Sequence, residues 1–176
     1  MMKALYRSFF VSLSVGCAVV TFDGGRLGES AYAAESSEQV ASEPILVVSG
    51  SVAAGQERSF TREEFEAMGL SSLTTRTPWN QDPVEFSGVR LSTFLKQVGA
   101  TGRALRVTAL NDYVTIIPVE DVKYDPILAT RRNGKTMAIR DKGPIFIIYP
   151  FDDDKSLNSE LYFSRCAWQA KFIQVE

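Results

Sequence analysis

The chain has 176 residues, 19 basic and 21 acidic, for a net charge of −2, and it contains no histidine. That balance gives no footing for a nucleic-acid or anionic-membrane partner. The missing imidazole removes the commonest general base, the usual zinc ligand and every Ser/His or Cys/His nucleophile system.

The first elements read as a processing signal. Lys3 and Arg7 precede an apolar run from Phe9 to Val20, and Ala31-Tyr32-Ala33 supplies the small residues that a signal peptidase accepts. Residues 1–33 are therefore expected to be a signal peptide, cleaved between Ala33 and Ala34, leaving a periplasmic or secreted protein. The run is shorter than the roughly 20 residues of a spanning helix, so no stable membrane insertion is expected after cleavage. Cys17 lies inside the run and lacks the large aliphatic residue upstream that a lipoprotein signal carries. No Arg-Arg pair precedes the run, which favours the general export route over the twin-arginine route. Cleavage leaves 143 residues with 16 basic and 19 acidic side chains and one thiol, Cys166, so packing alone must stabilise the fold.

Residues 34–44 are rich in Glu and Ser, lack aromatics and read as a disordered leader. The domain is expected to span 45–176. Ile45 to Val52 reads as a strand. Thr61-Arg62-Glu63-Glu64 matches a capping box ahead of a short helix over Arg62 to Met68, which Gly69 closes. Ser71 to Thr77 is a strand ending at Pro78-Trp79. A polar loop with Asn80, Asp82 and Pro83 then leads to Phe86-Ser87-Gly88. Leu91, Phe94, Leu95 and Val98 fall at helical spacing and Gly99 stops them.

Leu105 to Leu110 and Tyr113 to Ile117 form two strand-like runs around Asn111-Asp112. Pro118 starts a helical turn over Val119 to Val122. Asn133-Gly134 joins Ile127 to Arg132 with Lys135 to Ile139 as a hairpin. Ile145 to Tyr149, bounded by prolines, reads as a buried central strand, and Trp168 to Val175 as the last strand. Seven or eight short strands with two or three helices, and no βαβ alternation, predict an α+β fold with a mixed or antiparallel, partly rolled sheet.

Motif searches exclude most chemistry. There is no glycine-rich phosphate loop and no metal-ligand spacing. Asp152-Asp153-Asp154 lacks the glycine and the closing glutamate of a calcium loop, which leaves a solvated acidic loop.

Several segments in order nevertheless resemble one family. They are Val48-Ser49-Gly50-Ser51-Val52, Thr61 to Leu70, Phe86-Ser87-Gly88-Val89-Arg90-Leu91, Phe94-Leu95 and Gly99-Ala100. They continue through Ala109 to Tyr113, Ile117-Pro118, Asp121, Ile127-Leu128-Ala129, Asn133-Gly134, Arg140 to Pro144, Tyr149-Pro150 and Trp168-Gln169. Together they resemble the molybdopterin-binding oxidoreductase domain of the sulfite oxidase type, across nearly all of Ile45 to Glu176. The resemblance implies that fold. It also implies a molybdenum-binding cysteine between the Ser71 to Thr77 strand and the Phe86-Ser87-Gly88 segment, where this chain reads Thr74-Thr75-Arg76-Thr77-Pro78-Trp79.

A hydroxyl is a poor substitute for a thiolate on a soft-ligand metal. The histidines and most of the arginines that hold the pterin phosphate in the enzymes are also unmatched. No cofactor is therefore expected, and the domain is read as a non-redox module for a small anionic ligand or a periplasmic protein partner. A molybdenum-cofactor oxidoreductase and a purely structural exported protein are the alternatives. Thr75 and Thr77 stand where the enzymes present their metal ligand. Trp79, Asn111 and Tyr113 are candidate pocket walls, with turn chemistry and packing as the plain alternatives for the last two. Arg140 and Lys142, flanking a turn, are candidate anion receptors. Arg131 and Arg132 serve equally as exposed hairpin charges, and Cys166 reads as a small core residue.

Overall fold

Ten strands and three short α-helices make up residues 43–53 and 55–176, the part of the chain described by a computed structural model. The expected signal peptide, Cys17 and nearly all of the expected leader lie outside the described residues. Among the described residues no helix is long and apolar enough to cross a membrane.

The strands form two five-stranded sheets rather than one rolled sheet. The first contains β1 (Leu46–Gly50), β2 (Arg58–Phe60), β5 (Ala104–Ala109), β6 (Val114–Pro118) and β10 (Ala170–Val175), in the order β2-β1-β10-β5-β6. Strands β1 and β10 run parallel, so the last strand lies in the middle of the sheet that the first one enters. The second contains β3 (Leu70–Thr77), β4 (Asn80–Arg90), β7 (Ile127–Arg132), β8 (Lys135–Thr136) and β9 (Phe146–Ile148), with β9 on the flank of β7. All of its pairs are antiparallel. The buried side chains of both sheets join one core that includes Leu46, Phe65, Phe86, Phe94, Ile117 and Ile173.

Local chemistry accounts for the helices. The Thr61 hydroxyl accepts from the Glu64 N–H at 3.2 Å and the Glu64 carboxylate accepts from the Thr61 N–H at 2.9 Å, closing the expected capping box on α1 (Arg62–Glu66). Helix α2 (Leu91–Val98) buries all four predicted apolar residues, and Gly99 ends it at φ 61°, a left-handed cap that costs glycine nothing. Three 3₁₀ turns, Val119–Lys123, Ile139–Asp141 and Lys155–Leu157, fill the connections.

The structure corrects six expectations. Asn80 to Pro83 is strand rather than loop, because Pro78 and Trp79 alone make the turn and Thr77 pairs with Asn80. Pro83 is tolerated there because β7 pairs β4 only from Phe86 onward. The Lys135 to Ile139 strand stops at Thr136, and the chain turns into a 3₁₀ helix with Ile139 58% exposed.

The Ile145 to Tyr149 run is buried, yet β9 flanks its sheet instead of crossing its centre. Its outer edge is covered, since the Ile147 N–H donates to the Ala167 carbonyl at 3.0 Å. A bulge between Ala170 and Phe172 reverses the alternation of β10, so Ile173 faces the core and Phe172 is 47% exposed. Helix α3 (Glu160–Arg165) was not expected, and it buries no residue fully. The acidic loop is only partly solvated: Asp152 accepts from the Arg76 N–H at 3.0 Å, and Asp154 caps the third 3₁₀ turn through the Ser156 N–H at 2.8 Å. No acidic or thiol cluster able to hold a metal occurs among the described residues.

Candidate functional site

The β3–β4 turn places Trp79 beside the segment that follows α3. The Thr77 hydroxyl accepts from the Trp79 N–H at 3.3 Å and lies 3.4 Å from the Asn80 side-chain oxygen, which orients the indole. Trp79 then meets Phe146 at 5.8 Å between centroids and Trp168 at 5.6 Å, the second edge-on, an arrangement that aromatic quadrupoles favour.

The β5–β6 turn supplies the opposite wall. Asn111 accepts from the Tyr113 N–H through Oδ1 at 3.3 Å, which leaves its amide N–H₂ as a donor. The Tyr113 hydroxyl donates to the Ser164 carbonyl at 2.7 Å, tying the turn to α3. Between these walls lies a crevice of about 170 Å³ lined by Trp79, Asn111, Tyr113 and Trp168, with Phe163, Cys166 and Ala167 completing it. Trp79 is 37% and Trp168 36% exposed, so both indoles remain open to solvent.

Lys142 does not line the crevice but packs against two of its wall aromatics, Trp79 and Trp168. Its ammonium lies 4.6 Å from the Trp79 ring centroid, 5.0 Å from Trp168 and 5.1 Å from Phe146. No carboxylate pairs with it among the described residues. Burial, with the charge of Arg132, pulls its pKa below the usual lysine range, while Cys166 pulls the other way. The three aromatic faces favour the charged form as well. Backbone bonds set this row in place: Gln169 donates to the Lys142 carbonyl at 3.0 Å, and Leu110 donates to the Gln169 carbonyl at 3.0 Å. Lys142, Trp168 and Asn111 therefore stand on adjoining segments.

The remaining candidates lie elsewhere. Thr75 is fully buried, its hydroxyl donating to the Arg76 carbonyl at 3.0 Å and accepting from the Asp152 N–H at 3.1 Å. Thr77 positions Trp79 without lining the crevice. The Arg140 side chain is 88% exposed and faces only Asp141 at 3.7 Å. Arg131 forks onto Glu66 at 2.7 and 3.1 Å, where it holds the sheet to α1. Arg165 binds Asp121 at 2.8 and 3.1 Å, and the buried Tyr149 hydroxyl donates to the same carboxylate at 2.6 Å.

Residue-by-residue reading missed Phe163 and Ala167 and placed Cys166 in the core. Cys166 is indeed only 3% exposed, yet it also forms part of the crevice wall. Burial pushes its thiol up to about 12, against smaller pulls from the Tyr149 N–H and the Lys142 charge. Its neighbours Ala167 and Trp168 were the available signal, because small residues beside an exposed indole leave space.

Comparison with known proteins is sparse. No family model matches the chain, and no curated protein sequence does. Among solved structures, the crystal structure of the sulfane dehydrogenase SoxCD from Paracoccus pantotrophus superposes with a TM-score of 0.57 at 18% identity, over 74% of this chain and 37% of that one. The chain thus spans little more than a third of that protein, and the likeness is one of fold, a distant one to an oxidoreductase chain.

Proposed function

We propose that this is an exported, non-redox binding module, in which a fold like that of molybdopterin oxidoreductases holds a small ligand in the aromatic crevice. The carrying observation is that Trp79, Asn111, Tyr113 and Trp168, from three separate segments, converge on one open space beside a cation that no carboxylate pairs among the described residues. Pockets of this kind, apolar with a few placed polar groups, are the usual form of small-molecule sites.

The residues present do not fit a molybdenum–pterin group. A soft metal needs a thiolate, and Thr74 to Trp79, the stretch where the resemblance places that ligand, contains no cysteine. Arg131 and Arg165 are committed to Glu66 and Asp121 and are not free for a phosphate. The crevice of about 170 Å³ is also smaller than the roughly 300 Å³ at which drug-sized sites begin.

The second reading is a molybdenum-dependent oxidoreductase, and the observation for it is that the one thiol of the domain shares a crevice with Trp79. Elemental analysis and pterin fluorescence of protein made in a cofactor-competent host separate the two. Absence of both in wild type fits the binding module. Stoichiometric molybdenum that disappears in Cys166→Ser overturns it.

A further inference from the structure

The crevice lining is mainly apolar, and the few polar groups in or beside it include donors. Among the described residues the Asn111 amide N–H₂, the Lys142 ammonium and the indole N–H groups of Trp79 and Trp168 donate to no protein acceptor. The Asn111 oxygen already accepts from the Tyr113 N–H at 3.3 Å, and the Tyr113 hydroxyl donates to the Ser164 carbonyl, which leaves it an acceptor only. Trp79, Asn111 and Trp168 are exposed residues, which leaves these donors to water in the free protein. A ligand that displaces that water has to bring acceptor oxygens.

Size and wall chemistry narrow the choice. A dry cavity of about 150 Å³ accommodates benzene. The 170 Å³ here therefore has room for one six-membered ring with a small substituent, and a fused bicycle would project from its open side. Two mutually edge-on indoles 5.6 Å apart offer both a face and an edge to such a ring. Lys142 stands over these same two indoles on a flexible stem, its ammonium 4.6 and 5.0 Å from their centroids. Among the described residues no carboxylate pairs with it.

Building on the binding-module reading, we infer that the ligand is a single-ring aromatic acid, its ring against Trp79 and Trp168 and its carboxylate received by Lys142 with the Asn111 amide as second donor. Both tryptophans of the chain wall the crevice, so tryptophan signals report on this site alone.

The test is titration of the mature protein with benzoate, benzamide, benzylamine and naphthoate, followed by the two indole N–H resonances. Saturable shifts with benzoate, weaker ones with naphthoate and none with benzylamine are expected. Lys142→Met should weaken benzoate about tenfold, the worth of one charge-assisted hydrogen bond, while leaving benzamide nearly unchanged. Benzylamine binding in preference to benzoate, or Lys142→Met weakening benzamide as much as benzoate, overturns the ligand class and leaves the binding module standing. If none of the four probes moves either indole, both proposals fall.

Discussion

Replacing Arg165 with Met should cost the fold about 3 kcal/mol and disturb the crevice from behind. The Arg165 side chain is 13% exposed and that of Asp121 5%, so removing the cation strands a carboxylate in a place with little water. Breaking a buried pair from one side costs about 3–5 kcal/mol. The lower end applies because the Tyr149 hydroxyl, 2.6 Å away, still donates to Asp121. For a domain of this size about 4 °C of melting temperature accompanies each kcal/mol, so thermal unfolding should shift down by roughly 12 °C.

Arg165 directly precedes Cys166, Ala167 and Trp168, so tryptophan emission should move to the red before the main transition. Adding Asp121→Asn to Arg165→Met removes the stranded charge and keeps an acceptor for Tyr149. The double variant should therefore melt above the Arg165 single variant. A single-variant loss of less than about 2 °C, or a double variant less stable than both singles, would refute the view that this pair anchors α3.

Alkali should destabilise the protein through Cys166, whose thiol is raised to about 12 from an ordinary value of 9.0. Above pH 9 the unfolded chain loses this proton and the folded one keeps it, so stability falls as pH rises, by up to about 1.4 kcal/mol per unit. Cys166→Ala should flatten that limb in denaturant melts at pH 9–11, and native wild type should resist alkylation at pH 8. At the acid end, burial raises the Glu66 pKa but hydrogen bonds from Arg131 and Thr130 outweigh it, leaving it below 4.5. The stability this gives is present above that value and fades as pH falls through the folded pKa. Arg131→Gln should remove it, at a cost of no more than about 1 kcal/mol because the guanidinium is 36% exposed, and urea melts at pH 3–6 would show it. Thr77→Val keeps the side-chain shape but frees the Trp79 N–H, and should loosen the indole, read as lower fluorescence anisotropy, at a stability loss near 1 kcal/mol.

The sequence was most legible where local chemistry decides. The capping box at Thr61, the left-handed stop at Gly99 and the Asn133-Gly134 turn, whose φ values are 47° and 73°, all follow from side chains within a few residues. It was least legible where distant chain decides. Helix α3 is held by contacts far along the chain, Arg165 on Asp121, Tyr162 on Tyr149 and Phe163 on Phe151, and the exposed Phe172 follows from a bulge set by pairing with β5. Trp79, Asn111 and Tyr113 could be picked out because large or amide side chains sit in turns, where the core cannot claim them. Thr75 and Thr77 were placed by resemblance alone, and their hydroxyls turn out to serve backbone groups. Lys142 was read as an anion receptor from its place in a turn; the three aromatic rings around it were invisible in one dimension.

Backbone geometry around the crevice bears on how it would bind. Asp112, Lys142 and Gln169 take φ values of 62°, 74° and 55°, left-handed conformations that cost a residue with a side chain about 1 kcal/mol each. Each adjoins or forms part of the wall, and Asp112 and Asn111 share a turn. Such conformations persist only where surroundings over-determine them, and here the Lys142–Gln169–Leu110 backbone bonds do so, with the Gln169 amide also donating to Ile139 at 2.9 Å. The walls are consequently set before any ligand arrives. Little ordering cost remains for association, so a crevice too small to bury much area can still reach useful affinity. The same rigidity argues against a role in which this face remodels itself around a large partner, since reshaping it would have to break the bonds that stabilise its own turns.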